Sequence, residues 1–467
     1  MPKLMRCKYC GTLQDEPTGA KVCVQCGGEL AYEKEATEQE SSYIKAQLEL
    51  DQIAAPAQQI VERHLVLTIE TPEMVPVKEQ AQTATGREPL HFVAVLDTSG
   101  SMNGAKLRSA KEAVRQAVNR LQDGDLFSLV TFSTSVQCTL ESKRVDGYLR
   151  RVVESALQEM RAGGQTALCG GLEEGIARAA HNLQPTNLVL VLSDGQANVG
   201  ETDVEAIGRR AIAARGKGIT VSSLGVGSSY NEALMAEIAI DGGGRFYHIA
   251  DAQQIAAYLA GELGEMASLA ARNATVTFNL PAGTGVQPLS AAYPVSGYEM
   301  TVGDIPVATT LEVVVRLLLP PQPPQSRLSI DGVLKYQSPA GNALTTALNR
   351  VTVRYQPGAQ FVHTEGAVRP VVRRVLHQIQ AASVLATSKA ATRGPGVAKR
   401  QRGIELASLQ KYASLLGQDQ EAETVMEESE AVLQAVAAPE GARGHQAKAA
   451  TYAAMKRHRA SKDFDNA

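Results

Sequence analysis

Between residues 90 and 269, unbroken apolar runs alternate with amphipathic stretches. That alternation restricts the fold more than any other feature of the chain. Phe92-Val93-Ala94-Val95-Leu96 and Leu188-Val189-Leu190-Val191-Leu192 contain no polar side chain. A run of this kind is a strand buried on both faces, and such strands belong to parallel sheets covered by helices. Residues 106–121 place Leu107, Ala110, Val114, Ala117 and Leu121 on one helical face. The same patterning predicts helices over 146–160, 168–183, 204–215, 231–240 and 253–269, with further strands over 126–132, 135–140, 219–226 and 245–249. The expected fold class is therefore α/β: a doubly wound, mostly parallel sheet with right-handed crossovers.

A chain of 467 residues is longer than this unit needs. With 44% apolar and 20% charged residues it has a globular balance. We divide it into a zinc ribbon at 1–30, a linker at 31–57 with a short helix over 41–55 ended by Pro56, and the first strands of a β-sandwich at 58–89. The α/β domain at 90–269, the rest of the β-sandwich at 270–360 and a helical C-terminal region at 361–467 complete the chain. Strands are predicted over 275–280, 299–302, 310–318, 332–337 and 350–355. On this division the α/β domain is inserted into the sandwich. Helices are predicted over 371–388, 397–416, 420–437 and 444–458. Residues 366–404 carry eight Lys or Arg and no acid, whereas 412–442 carry seven acids and no Lys or Arg. Consecutive antiparallel helices that pair these charges account for the segregation.

Four cysteines fall in the first 26 residues, as Cys7-Lys8-Tyr9-Cys10 and Cys23-Val24-Gln25-Cys26. Two C-x2-C knuckles twelve residues apart have the spacing of a tetrahedral Zn2+ site. Gly11 and Gly27 follow the second cysteine of each knuckle and permit the tight turns such sites use. Four thiolates close the coordination sphere, so the zinc is expected to be structural. The segment resembles the short zinc ribbons at the N-termini of many bacterial proteins. Cys138 and Cys169 read as small buried apolar residues.

The first long strand ends in Asp97-Thr98-Ser99-Gly100-Ser101-Met102, and the second ends in Ser193-Asp194-Gly195. Thr166 sits in the glycine-rich turn 163–168 ahead of a helix. Taken singly, Asp97, Ser99, Thr166 and Asp194 read as helix caps or turn residues. If the two strands are neighbours, these oxygens meet at the carboxyl edge of the sheet, where open α/β sheets bind ligands. Hydroxyls mixed with carboxylates suit a hard octahedral cation such as Mg2+. The five positions resemble the metal-ion-dependent adhesion site of the von Willebrand factor type A domain, and the resemblance covers about residues 90–269. Gly225-Val226-Gly227 is similar to the family as well. It implies a six-stranded sheet with the 135–140 strand antiparallel on one edge. It also implies a Mg2+ or Mn2+ ion to which Ser99, Ser101 and Thr166 offer hydroxyls. Asp97 and Asp194 would hold that ion, often through water, and an acidic residue of a partner would complete the octahedron.

Other functions fit less well. A metal-assisted hydrolase needs a base beside the ion, and neither His91 nor His181 is aimed at the crevice by its pattern. The chain has no G-x-x-x-x-G-K-[ST] motif. A nucleic-acid protein would use the ribbon and the basic 366–404 segment. However, the net charge is −3, aromatic residues make up 4%, and there is no Trp. The N-terminus lacks an apolar signal region and no segment suits a membrane, so a cytoplasmic location is expected. The expected role is a non-enzymatic scaffold or adaptor for a protein partner.

Overall fold

A computed structural model of the chain describes residues 42–80, 88–194, 197–227, 230–249, 255–438 and 449–454, together with two short strands near the N-terminus. Those two, β1 (Leu4–Arg6) and β2 (Leu13–Asp15), pair antiparallel. The chain continues through β3 (Lys45–Leu50), β4 (Ala54–Pro56) and β5 (Val61–Glu70). It then forms β6 (Leu90–Asp97), α1 (Ala105–Arg120), β7 (Leu126–Phe132), β8 (Val136–Arg144), α2 (Gly147–Glu159), α3 (Leu168–His181) and β9 (Thr186–Ser193). Next come α4 (Val204–Arg215), β10 (Thr220–Val226), α5 (Glu232–Asp241), β11 (Gly243–Ile249) and α6 (Ile255–Ala267). Strands β12 (Leu269–Asn279), β13 (Gly285–Pro288), β14 (Val295–Ser296), β15 (Glu299–Pro306), β16 (Thr310–Leu319), β17 (Arg327–Gln337) and β18 (Ala343–Gln356) follow. Helices α7 (Arg369–Thr392), α8 (Pro395–Ala413) and α9 (Gln420–Val436) come after them. The four N-terminal cysteines lie outside the described residues.

The α/β sheet has the order β11-β10-β9-β6-β7-β8. All neighbours are parallel except β8, which runs antiparallel beside β7 at one edge. Every residue of β6 and β9 is buried, and the period of two sorts their side chains. Phe92, Ala94, Leu96, Leu188, Leu190 and Leu192 join a core with α1, α2 and α6. Val93, Val95, Val189 and Val191 face the opposite way, into a core with α3, α4 and α5. Helix α3 carries glycines inside a helix, each costing about 1 kcal/mol against Ala in propensity. The sheet explains them. A methyl group at Gly171 would fall within 3.0 Å of the Phe132 ring, and one at Gly175 within 3.0 Å of Val95.

The remaining strands form two sheets, β14-β15-β12-β17-β18-β4 and β13-β16-β5-β3. Strand β5 pairs with β16 along its whole length, from Val61–Leu319 to Glu70–Thr310. One apolar cluster takes Leu48, Leu67, Ile69, Val313 and Val315 from the four-stranded sheet and Val276, Phe278, Leu328 and Ile330 from the six-stranded one. The other face of the four-stranded sheet carries Val66 and Val314 into a second cluster with Val371, Val372 and Val375 of α7. Strand β5 is thus covered on both sides. The loop between β15 and β16 ties in both chain segments that flank the α/β unit. Thr71 bonds to Pro306 and Thr309, Ala308 N donates to Pro72 O (2.8 Å), and Val307 N donates to Ser268 O (2.9 Å).

Three expectations are corrected. The helix expected over 41–55 is replaced by β3 and β4. Polar Lys45, Gln47 and Glu49 alternate with Ala46, Leu48 and Leu50, and the latter two side chains are buried in the core shared with the six-stranded sheet while β3 pairs with β5. The helix expected to reach residue 269 stops at Ala267, and Leu269 already opens β12. The basic helix does not lie charge-for-charge against the acidic one. Only Arg369, Arg373 and His377 of α7 reach Asp419 or Glu421. Arg374 instead pairs with Glu49 and Glu312 of the four-stranded sheet. Lys389 and Arg393 pair with Glu205 and Glu237 on α4 and α5. Lys399, Arg400 and Arg402 of α8 make no ion pair among the described residues. At 24 residues, α7 is long enough to run past the sheet to the α/β unit, so its charges are shared out along the way.

Asp419 joins two roles. Its side chain caps α9 by accepting from Ala422 N (3.2 Å), and it accepts from Arg373 (2.7 Å) and Arg369 (3.0 Å). Those hydrogen bonds, Arg373's first, hold its carboxyl well below the usual carboxylate range. Both arginines are about half exposed, so solvent screens their contribution to stability and the helix cap is the larger part of what Asp419 adds to the fold. We expect Asp419→Ala to destabilise the helical region by about 1–2 kcal/mol at neutral pH. A depressed folded-state pKa stabilises above the unfolded value and is lost as pH falls through the folded value. Urea melts should therefore show the gap between native chain and variant shrinking as the pH is taken below about 4.

Candidate metal crevice

Strand β6 lies between β7 and β9, so the chain leaves its carboxyl end at the point where the strand order reverses. Asp97 is the last residue of β6, and Ser193 is the last of β9. Three loops close over this edge and are laced by backbone bonds. Thr98 N and Oγ1 both donate to Phe132 O (2.8 and 3.1 Å), which ties the first loop to the end of β7. Gly163 N donates to Thr98 O (2.8 Å) and Gly100 N to Gly164 O (3.1 Å). Gly164 has φ +82, and a Cβ there would meet Thr134 Oγ1, so this turn requires glycine. Thr166 N donates to Asn198 Oδ1 (2.8 Å), and Asn198 N returns a bond to Thr166 O (3.1 Å).

Within that frame the oxygens of Asp97, Ser99, Ser101 and Asp194 come together. Ser99 N donates to Asp97 Oδ1 (2.7 Å). Ser99 Oγ lies 3.1 Å from Ser101 Oγ, which donates to Asp194 Oδ1 (2.7 Å). Thr166 is brought to the same edge by the bonds of its backbone to Asn198. Asp97, Ser99, Thr166 and Asp194 are buried, whereas Ser101 is exposed. Burial raises the Asp97 carboxyl above its ordinary value, and the like charge of Asp194 adds to the rise. Hydrogen bonds from Ser193 and Ser99 oppose it.

The simpler readings of these residues as helix caps do not hold. Helix α1 starts after Gly104 and α3 after Ala167, neither with a side-chain cap. Asp97 does make a local turn bond to Ser99 N. Asp194 is held by Ser101 and Lys106.

The donor set fits a hard cation. Oxygens on adjacent corners of a Mg2+ octahedron are about 2.9 Å apart, given bonds of about 2.0–2.1 Å. The Ser99–Ser101 and Ser101–Asp194 separations of 3.1 and 2.7 Å bracket that value. Among the described residues no three His, Cys, Asp or Glu side chains gather as a metal cluster, and the crevice joins two carboxylates to hydroxyls instead.

Sequence reasoning missed three neighbours. Ser193 Oγ donates to Asp97 Oδ2, Asn198 holds Thr166, and Lys106 Nζ donates to Asp194 Oδ2. Ser193 was legible as part of Ser193-Asp194, while Lys106 reads only as the first turn of a helix. The histidines lie elsewhere. His91 is at the opposite end of β6, with Nδ1 3.2 Å from Asn182 O and Nε2 3.0 Å from Ser128 Oγ. Burial lowers its pKa to about 4. His181 ends α3, away from Thr166. Cys138 is half-buried and Cys169 buried, neither in a disulfide. Burial pushes the Cys169 thiol up to about 11, which leaves it protonated and unreactive at neutral pH.

A doubly wound sheet with hydroxyls and carboxylates converging at its switch point defines a class of α/β ligand-binding domain. Residues 92–260 match the family model of the von Willebrand factor type A domain, and this part of the chain is such a domain. The chain is 30% identical over 195 residues to protein YfbK of Escherichia coli (strain K12), covering 40% of this chain and 34% of that protein. It is 32% identical over 181 residues to human inter-alpha-trypsin inhibitor heavy chain H3, covering 35% of this chain and 20% of that protein. The match thus spans about a third or less of these relatives' own length. A solved von Willebrand factor type A protein from Catenulispora acidiphila superposes with a TM-score of 0.62 at 19% identity, covering 90% of this chain and 99% of that one. The ArnB paralog VWA2 from Sulfolobus acidocaldarius gives 0.58 at 16% identity, covering 89% and 99%. At those identities the likeness is one of fold. Among the described residues no helix is long and apolar enough to cross a membrane.

Proposed function

We propose that this chain is a cytoplasmic scaffold that grips an acidic residue of a protein partner through a Mg2+ or Mn2+ ion in the crevice. Von Willebrand factor type A domains typically mediate protein–protein interaction, and residues 92–260 are one. The observation that carries the finer proposal is the convergence of the Ser99, Ser101 and Asp194 oxygens beside buried Asp97 at the carboxyl edge of the sheet. Ser99, Ser101, Thr166, Asp97 and Asp194 would hold the ion, and the ion would supply a positive centre with a place for an outside carboxylate. The residues here fix geometry. The backbone lacing keeps the three loops in register, and Ser193 orients Asp97. Exposed Ser101 sets the crevice mouth at the protein surface. We read the chain as a binding protein rather than an enzyme, because His91 and His181 both stand away from the crevice.

Calorimetric titration of the zinc-saturated full chain with Mn2+ tests the site. One Mn2+ per chain is expected, and no heat above dilution would overturn the proposal. We further infer that the α/β domain is inserted into a β-sandwich, supported by the pairing of β5 with β16. We also infer that residues 1–30 form a zinc ribbon with Cys7, Cys10, Cys23 and Cys26 as ligands, supported by their spacing. Elemental analysis of freshly reduced protein should find about one zinc per chain by the four-thiolate argument. Cys23→Ser should lose that zinc while the other domains still melt as in the native chain. A zinc-free native chain would refute the ribbon.

A further inference from the structure

We propose that Lys106 is a resident counter-ion of the crevice and lowers its affinity for a divalent cation. The inference rests on the metal-site reading above. Lys106 stands on the first turn of α1, and its ammonium donates to Asp194 Oδ2. Asp194 is fully buried, whereas the Lys106 side chain is 31% exposed. The lysine therefore reaches in from the rim. Its path is shaped by the turn after β10. Gly227 has φ +78, and a Cβ there would sit 3.5 Å from Lys106 Cε and 3.6 Å from Nζ. The stem thus passes over a position with no side chain, and its end is confined between that turn and Asp194.

The consequence is a division of Asp194. One oxygen, Oδ1, stays with Ser101 and the chain of hydroxyls. The other is taken by Lys106. Asp97 and Asp194 bring two negative charges, and Lys106 brings one positive, so an incoming ion meets a net charge of −1 instead of −2. A like charge within one side chain's reach repels a divalent ion even at a high effective dielectric. With the ion bound, the local charge is +1 instead of neutral, which favours a carboxylate arriving from outside. Lys106 thereby weakens ion binding and strengthens the bound ion's pull on a partner's acid.

The test is Mn2+ affinity of the zinc-saturated full chain, measured by the electron paramagnetic resonance signal of free Mn2+. Lys106→Met and Lys106→Gln should each bind Mn2+ about tenfold more tightly, a repulsion of one unit charge being worth at least that much at this range. Lys106→Arg keeps the charge and should stay near the native affinity. A purely structural role for Lys106 predicts the opposite sign, because a loosened Asp194 would bind the ion less well. Met and Gln variants that fold, by thermal melt, yet bind Mn2+ no more tightly than the native chain would overturn the inference and leave the metal site standing. Absence of Mn2+ binding by the native chain and by every variant would overturn both.

Discussion

Asp97→Ala is expected to weaken metal-dependent partner binding by about 100-fold, a typical loss when an oriented group in or beside a metal's ligand shell is removed. Asp97 supplies one of the two carboxylates that the described residues bring to the crevice, and its two oxygens have different tasks. Oδ1 receives Ser99 N and sets the turn that presents the Ser99 hydroxyl. Oδ2 receives Ser193. Alanine removes the charge and both bonds. The fold should tolerate this. The Ser99 amide and Ser193 hydroxyl lose their acceptor, at about 1–3 kcal/mol for an unsatisfied buried group. Removing a charge that burial disfavours, and that Asp194 repels to a lesser extent, works in the opposite direction. Val93 and Val95, the core residues of β6, are untouched. Asp97→Asn keeps an acceptor for Ser99 and separates charge from geometry. It should melt close to the native chain and still lose most binding. The measurement is a pull-down of the partner with Mg2+ and with chelator, comparing native and variant chains. Undiminished binding in chelator would move recognition away from the crevice.

Gly175→Leu is expected to cost about 3 kcal/mol or more, at or beyond the upper end of overpacking effects. Helix α3 rests on the sheet with no room for a side chain at this position. The first added carbon would press into Val95 and Val189, on the two central strands that end in the crevice. Relief requires α3 to lift, and Ala167, which precedes its first residue, is bonded to Ser133 across the crevice wall. The variant should therefore lose stability and metal affinity together. Gly175→Ala sets a gain in helix propensity of about 1 kcal/mol against the same contact and should be milder. Gly403 on α8 has open space around it. Gly403→Ala should accordingly stabilise the chain by up to about 1 kcal/mol. Urea melts of the three variants provide the comparison, and a Gly175→Leu chain as stable as the native one would refute the packing argument.

What could be read from the amino acids follows from which interactions are local. Strands β6 and β9 announce themselves because burial on both faces demands a continuous apolar run. The helix 204–215 is set by its own ends, with Asp203 capping it by accepting from Ala206 N. The crevice residues were legible for a related reason. Asp97, Ser99, Ser101 and Asp194 sit at or just after the end of a visible strand and Thr166 just ahead of a visible helix, and strand adjacency then brings the strand ends together. Strand β3 was not legible, because Lys45, Gln47 and Glu49 are ordinary helix formers and only the pairing with β5 selects the extended form. The α6–β12 junction was hidden by a stretch rich in Ala that suits either state. The partners of the α7 charges depend on where a long helix crosses other units, which no local pattern encodes. Lys106 belongs with these. Its role comes from the reach of a side chain to Asp194, 88 residues away in sequence.

The loop between β15 and β16 bears on how such a chain can assemble. Strand β5 precedes the α/β domain and β12 follows it, so pairing their sheets must close a loop spanning residues 71–268. A disordered loop of that length carries a closure entropy that grows as its logarithm, and contacts so distant in sequence form slowly. Once the α/β domain has folded, that loop is no longer a flexible coil. Its emerging ends, at Thr71–Pro72 and Ser268, meet on one short turn, Pro306–Thr309, through three backbone hydrogen bonds and three more made by the Thr71 hydroxyl. The domain that carries the crevice therefore also acts as the template on which the flanking sheets find their register.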